Sequence, residues 1–150
     1  MVTRLALLGA GRIGKVHAKA IAEDKRAKLV AVADAFAEAA NAIAAQTGCA
    51  VKTIEEIEAD KDIDAVIICT PTNTHADLIE RFAKAGKAIF CEKPIDLDVN
   101  RAKACLETVR AVGGKVMLGF NRRFDPHFQA VRTEIDKGSI GKVEMVTITS

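Results

Sequence analysis

The sequence predicts an α/β fold, a doubly wound parallel sheet with helices on both faces. Three observations carry the prediction. Short apolar runs of strand length alternate with stretches of helical periodicity along most of the chain. A glycine-rich turn, Gly9-Ala10-Gly11-Arg12-Ile13-Gly14, joins the first strand-like run to the first helical one. A carboxylate, Asp34, closes the second strand-like run. Parallel strands cannot be joined by tight hairpins and need crossover helices, which this alternation supplies.

The elements follow in order. Leu5 to Leu8 is a continuous apolar run, as a strand covered on both faces requires. From Ile13, apolar residues return at Val16, Ala20 and Ile21, a helical stripe. Leu29 to Ala33 reads as the second strand, and Ala35 to Gln46 as an alanine-rich helix closed by Gly48. Val51 belongs to a short third strand and Ile54 to Ala59 to a short acidic helix. Ala65 to Cys69 is the clearest strand of all. A helix then begins near Thr74, with Asp77 three residues on as in a capping box, and carries Leu78, Ile79, Phe82 and Ala83 to Gly86. Ala88 to Cys91 makes a fifth strand, and Asp98 caps a helix that Gly113-Gly114 stops. Val116 to Leu118 makes a sixth.

Residues 1–120 thus read as one Rossmann domain, and residues 121–150 as the start of an incomplete second domain, a linking helix and one strand. Asp125-Pro126 is a good helix start, with Phe128, Val131 and Ile135 on one face. Val143 to Thr149 alternates like a strand and has no evident partner in the chain. It predicts a longer parent protein, or homo-oligomer formation by pairing of this edge between copies.

Composition narrows the function classes. The chain has 150 residues, 49% apolar and 28% charged, with 22 basic and 20 acidic side chains and a net charge of +2. That balance gives no reason to expect nucleic acid or an anionic membrane as partner. Trp and Tyr are absent and Phe numbers six, too few for base-stacking platforms. No stretch approaches the ~20 apolar residues of a membrane span. The four cysteines, Cys49, Cys69, Cys91 and Cys105, form no C-x-x-C pair, so reduced thiols and a cytoplasmic location are expected, with no metal site.

The glycine turn stands where a dinucleotide motif must, after a strand and before a helix. Gly9 permits the tight turn, Gly11 lets backbone approach a pyrophosphate, and Gly14 lets helix and strand pack closely. The first helix would offer its free N–H groups, those near Arg12 and Ile13 among them, to the anion. Asp34 lies 20 residues beyond Gly14, the offset of a carboxylate that bonds the ribose 2′-OH. No Arg follows within Ala35-Phe36-Ala37 to meet a 2′-phosphate, which favours NAD over NADP. The competing reading is a structural turn with Asp34 as a helix cap.

Ligands of doubly wound sheets lie at the carboxyl ends of the strands. Three polar clusters fall there: Thr70, Thr72, Asn73 and His75; Glu92-Lys93-Pro94; and Asn121-Arg122-Arg123. Lys93 is the candidate for chemistry, since a lysine beside a nicotinamide can orient or polarise a substrate hydroxyl. A solvated Glu92–Lys93 pair is the plain alternative. Pro94 is placed to set a rigid, cis-capable turn. His75 is a candidate for contact with the nicotinamide ribose.

Four segments, the glycine turn, Cys69-Thr70-Pro71-Thr72-Asn73-Thr74-His75, Cys91-Glu92-Lys93-Pro94 and Gly119-Phe120-Asn121-Arg122-Arg123-Phe124-Asp125-Pro126, resemble the glucose-fructose oxidoreductase / inositol dehydrogenase / rhizopine catabolism family. They span nearly the whole chain in the family's order. The resemblance implies a Rossmann domain for NAD(P), hydride transfer from a polyol or cyclitol (myo-inositol-like) alcohol, and Lys93 near the nicotinamide. It also implies that one of Arg122 and Arg123 faces substrate or cofactor. Family members run to more than twice this length, and the Asp and His that complete their catalytic group have no match here. The alternative is a nucleotide-binding or interaction module without turnover.

Other candidates read more simply. His17 is expected to be a partly buried packing residue and His127 solvated. Cys69 and Cys91 end neighbouring strands as small buried hydrophobes. The acidic residues from Glu55 to Asp64 are expected to form a solvated face.

Overall fold

The computed structural model describes residues 2–149. The chain divides into two compact units between Gly119 and Phe120. The first holds six strands: β1 (Thr3–Leu8), β2 (Ala27–Ala33), β3 (Ala50–Val51), β4 (Ala65–Ile68), β5 (Ala88–Cys91) and β6 (Val116–Leu118). Five helices alternate with them: α1 (Arg12–Glu23), α2 (Ala37–Thr47), α3 (Ile54–Ala59), α4 (His75–Lys84) and α5 (Val99–Ala111). All pairings are parallel and the order is β3-β2-β1-β4-β5-β6, the Rossmann order.

Both faces of the sheet are buried, which is why its strands read as continuous apolar runs. Successive residues of one strand serve opposite sides. Leu8, Val66, Ile68 and Cys91 pack with Ile79, Phe82 and Cys105 on one face. Leu7, Val32 and Ile67 pack with Ala18, Ile21 and Ile43 on the other.

The helix starts follow local side-chain chemistry. Asp98 accepts a hydrogen bond from the Asn100 N–H at the start of α5. α3 carries a full capping box: Thr53 accepts from the Glu56 N–H, and Glu56 accepts from the Thr53 N–H. The box expected at Thr74 and Asp77 does not form. A 3-10 turn over Thr72–Thr74 precedes α4, and there the Thr74 hydroxyl lies 2.8 Å from the Pro71 carbonyl and 2.6 Å from Thr70 Oγ1. Its oxygen is spent on the loop rather than the helix. The acidic residues between Glu55 and Asp60 are not merely solvated, because Glu55 and Glu58 pair with Arg81 and Asp60 pairs with Lys52.

The second unit holds a 3-10 turn over Asn121–Phe124 and one helix, α6 (Pro126–Asp136). Asp125 caps α6 by accepting from the N–H groups of His127 and Phe128, with Pro126 in the first turn. The strand expected over Val143–Thr149 is not formed, and Met145, Val146 and Ile148 are exposed. The unit contains no other strand among the described residues, so this segment has nothing to supply partners for its N–H and C=O groups. No helix among the described residues is long and apolar enough to cross a membrane.

Phe82 is fully buried under β4 and β5. Phe82→Ala is expected to cost about 3–5 kcal/mol in denaturant unfolding, the range for deleting a core aromatic.

Candidate functional site

Register sets the site. Leu8 pairs with Ala33 and with Ile68, Ile68 with Cys91, and Cys91 with Leu118. The ladder runs one residue further. The N–H of Gly9 donates to Ala33, that of Cys69 to Leu8, that of Glu92 to Ile68 and that of Gly119 to Cys91, at 2.7–2.9 Å. The exit loops of β1, β4, β5 and β6 therefore leave the sheet side by side, and Asp34 follows Ala33 on the same edge. The strand order reverses between β1 and β4, where such sheets open a crevice.

The three glycines of the first loop answer different needs. Gly9 has φ +96°, and a Cβ there would lie 2.6 Å from the Cys69 carbonyl carbon. A Cβ on Gly14 would lie 2.0 Å from the Gly9 carbonyl oxygen. These two are glycines because backbone leaves no room. Gly11 is not of this kind. Its φ is −70°, open to any residue, and nothing lies within 4 Å of an added Cβ. Neither a positive φ nor packing calls for glycine there. Gly11 opens α1 with no side chain capping the helix, which leaves first-turn N–H groups for an anion. Arg12 is exposed beside it and Ile13 half-buried.

Asp34 is half-buried and holds this loop. Its Oδ2 accepts from the Ala10 N–H at 2.6 Å and its Oδ1 from the Phe36 N–H at 2.8 Å. It thus acts in the turn as well as standing at the crevice. A groove of about 760 Å³ opens next to it, lined by Ala33, Asp34, Val51, Thr70, Pro71 and Asn73, among others. Its walls carry Asp34 and Glu56, with Glu55 held by Arg81 and Asp77 by Arg101, and its one basic residue, Lys52, is held by Asp60 at 2.6 Å. An apolar groove with no unpaired cation on its walls fits an adenosine with a free 2′-OH. Helix N-terminus, open Gly11 and groove together fit a dinucleotide.

At β5, Glu92 does not pair with Lys93. Its Oε1 meets His17 Nε2 of α1 at 2.9 Å, and the His17 ring packs edge-on against Phe90 with centroids 5.1 Å apart. A Cβ on Gly119 would lie 3.1 Å from the same carboxylate, so that glycine leaves it room. Lys93 is exposed and has no ion pair among the described residues. The Lys93-Pro94 bond is cis. His75 differs from the expectation of a ring facing ligand. It is 2% exposed, with Nδ1 2.7 Å from the Pro94 carbonyl and Nε2 2.8 Å from the Thr70 carbonyl.

His17 was legible only as a packing residue, although its place one helical turn after Gly14 puts it on the face of α1 turned toward the sheet. Burial pushes the thiols of Cys69 and Cys91 up to about 12, so neither supplies a thiolate. In the second unit Arg122 and Arg123 are both exposed, and the Arg122 guanidinium stacks 5.0 Å above the centre of the Phe128 ring.

Comparison with known proteins agrees with this geometry. Residues 3–120 match the oxidoreductase family with an NAD-binding Rossmann fold, the glucose-fructose oxidoreductase / inositol dehydrogenase / MocA family. The chain belongs to this family. Its first unit is thus an NAD-binding Rossmann domain. Inositol 2-dehydrogenase of Rhizobium meliloti (strain 1021) is 70% identical over 150 residues, all of this chain and 46% of that one. A myo-inositol dehydrogenase of Corynebacterium glutamicum superposes with TM-score 0.88 at 46% identity, over 96% of this chain and 44% of that one. A scyllo-inositol dehydrogenase of Lactobacillus casei, solved with bound NAD(H) and scyllo-inositol, gives TM-score 0.89 at 32% identity, over 95% and 43%. The chain spans less than half the length of these relatives.

The two kinds of glycine are separable. Gly14→Ala is expected to destabilise the fold by about 1–3 kcal/mol through overpacking. Gly11→Ala is expected to change stability by less than about 1 kcal/mol while weakening NAD binding at least tenfold. Thermal melts and calorimetric titration measure the two effects.

Proposed function

We propose that this chain is the NAD-binding part of a cytoplasmic dehydrogenase that oxidises a secondary alcohol of a polyol or cyclitol, a myo-inositol-like ring. Gly11 is the observation that carries the cofactor half of the reading, since nothing in the fold requires glycine there. The names of the relatives carry the substrate half.

In this reading the first turn of α1 binds the pyrophosphate through backbone N–H groups, with Arg12 and Ile13 flanking it. Asp34 accepts from the adenosine ribose hydroxyls while keeping Ala10 in place. Thr70 and Asn73 line the groove at the adenosine side. Glu92 contributes through His17 and the placing of its neighbour rather than by direct contact. When bound, NAD supplies the acceptor for the hydride of the alcohol carbon. The Lys93 ammonium donates a hydrogen bond to the alcohol oxygen and orients the alcohol carbon toward the cofactor.

Calorimetry with NAD, NADP and the Asp34→Ala variant tests the cofactor reading. NAD is expected to bind, with NADP weaker by about tenfold or more, a difference of ~1.4 kcal/mol. Asp34→Ala should lose at least as much affinity for NAD. A folded chain that gives no NAD binding would overturn the proposal.

A further inference from the structure

The segment that carries Lys93 is held from three sides. Glu92, before it, is bonded to His17 on α1 at 2.9 Å. Ile95, after it, is 9% exposed and sits in the core cluster with Ala76, Cys91 and Cys105. Between them, the Pro94 carbonyl meets His75 Nδ1 at 2.7 Å. The second nitrogen of the same ring meets the Thr70 carbonyl at 2.8 Å, so one buried ring bridges the exit of β4 and the turn after β5. With these neighbours fixed, the Lys93 side chain is left exposed.

The bridge is more than packing. An apolar ring of the same size would leave both carbonyls without this donor, at a cost that hydrogen bonding to histidine avoids. Both partners are acceptors, so the ring nitrogen that carries the proton donates to its carbonyl while the other nitrogen lies against the second. The position also has a cause in the chain. His75 is the first residue of α4, and the 3-10 turn over Thr72–Thr74 brings the chain from Thr70 back to the ring within five residues.

We propose that His75 is a positioning residue for Lys93: by bridging the carbonyls of Thr70 and Pro94 it clamps the Glu92–Ile95 turn to the end of β4, and with the Glu92–His17 pair it fixes where the ammonium emerges. The functional meaning rests on the reading of Lys93 given above, but the clamp itself is tested without substrate or cofactor.

Backbone ¹⁵N order parameters of the 150-residue chain measure it directly. The Lys93, Ile95 and Asp96 amides are expected near 0.85, the value of rigid backbone, and below about 0.6 in His75→Phe, which keeps a ring and loses both ring nitrogens. Val66–Ile68 and Ile89–Cys91 should stay rigid in that variant. His75→Gln, able to donate to one carbonyl, should lie between. Unchanged order at the turn, or a loss spread evenly through β4 and β5, overturns the clamp in favour of a packing role. Should His75→Phe fail to fold, His75→Gln against wild type decides by the same pattern. A wrong role for Lys93 leaves these order parameters untouched, so failure of that reading and failure of the clamp are distinguishable.

Discussion

Everything at the candidate site depends on the parallel backbone ladder, which after a one-residue shift of β1 against β2 between Leu5 and Ala6 keeps one register to the carboxyl edge of the sheet. The pairs Ala33–Leu8, Leu8–Ile68, Ile68–Cys91 and Cys91–Leu118 lie in a row, and the next N–H of each following strand continues it. A slip of one residue in any strand would turn its side chains to the opposite face. Burial of both faces forbids that slip, since Leu7 and Leu8, or Ile67 and Ile68, serve different halves of the core. Hydrophobic burial thus fixes where polar residues far apart in sequence come together.

Above the sheet the loops are tied to one another by few but well-placed polar contacts. Asp34 holds the glycine turn, Glu92 ties the lysine turn to α1, and His75 ties it to the exit of β4. Each is an ionisable side chain spent partly on positioning backbone. Among the described residues no buried side-chain nitrogen or oxygen lacks a hydrogen-bond partner. With these side chains so engaged, Lys93 stays exposed and without an ion pair among the described residues.

The fold was legible in the sequence because its signals are local. Strand-length apolar runs, glycine stops and the Asp98 and Asp125 caps all act within a few residues, and the six strands were found where they were expected. The failures have physical causes. Thr74 looked like a cap, but a preceding 3-10 turn took its hydroxyl. Val143–Thr149 alternates like a strand, and alternation alone cannot supply a pairing partner. At the site, the motif residues could be found by spacing, whereas the partners of Glu92 and His75 could not. Glu92 meets a residue 75 positions away and His75 one 19 positions away, contacts that only the folded register creates.

In the proposed reading Asp34 meets the ribose besides holding the turn, and this double duty bears on how cofactor preference can change in proteins built this way. Replacing that carboxylate to admit a 2′-phosphate removes a charge-assisted bond to Ala10, of a type worth about 1.5–3 kcal/mol, from the very loop that must grip the pyrophosphate. The nearby cation that would welcome the extra phosphate, Lys52, is already committed to Asp60. A switch of preference therefore has to repair the turn and free or add a cation together. Single substitutions are expected to yield poor binders of both dinucleotides rather than intermediates, so a preference set in this way is hard to leave by small steps.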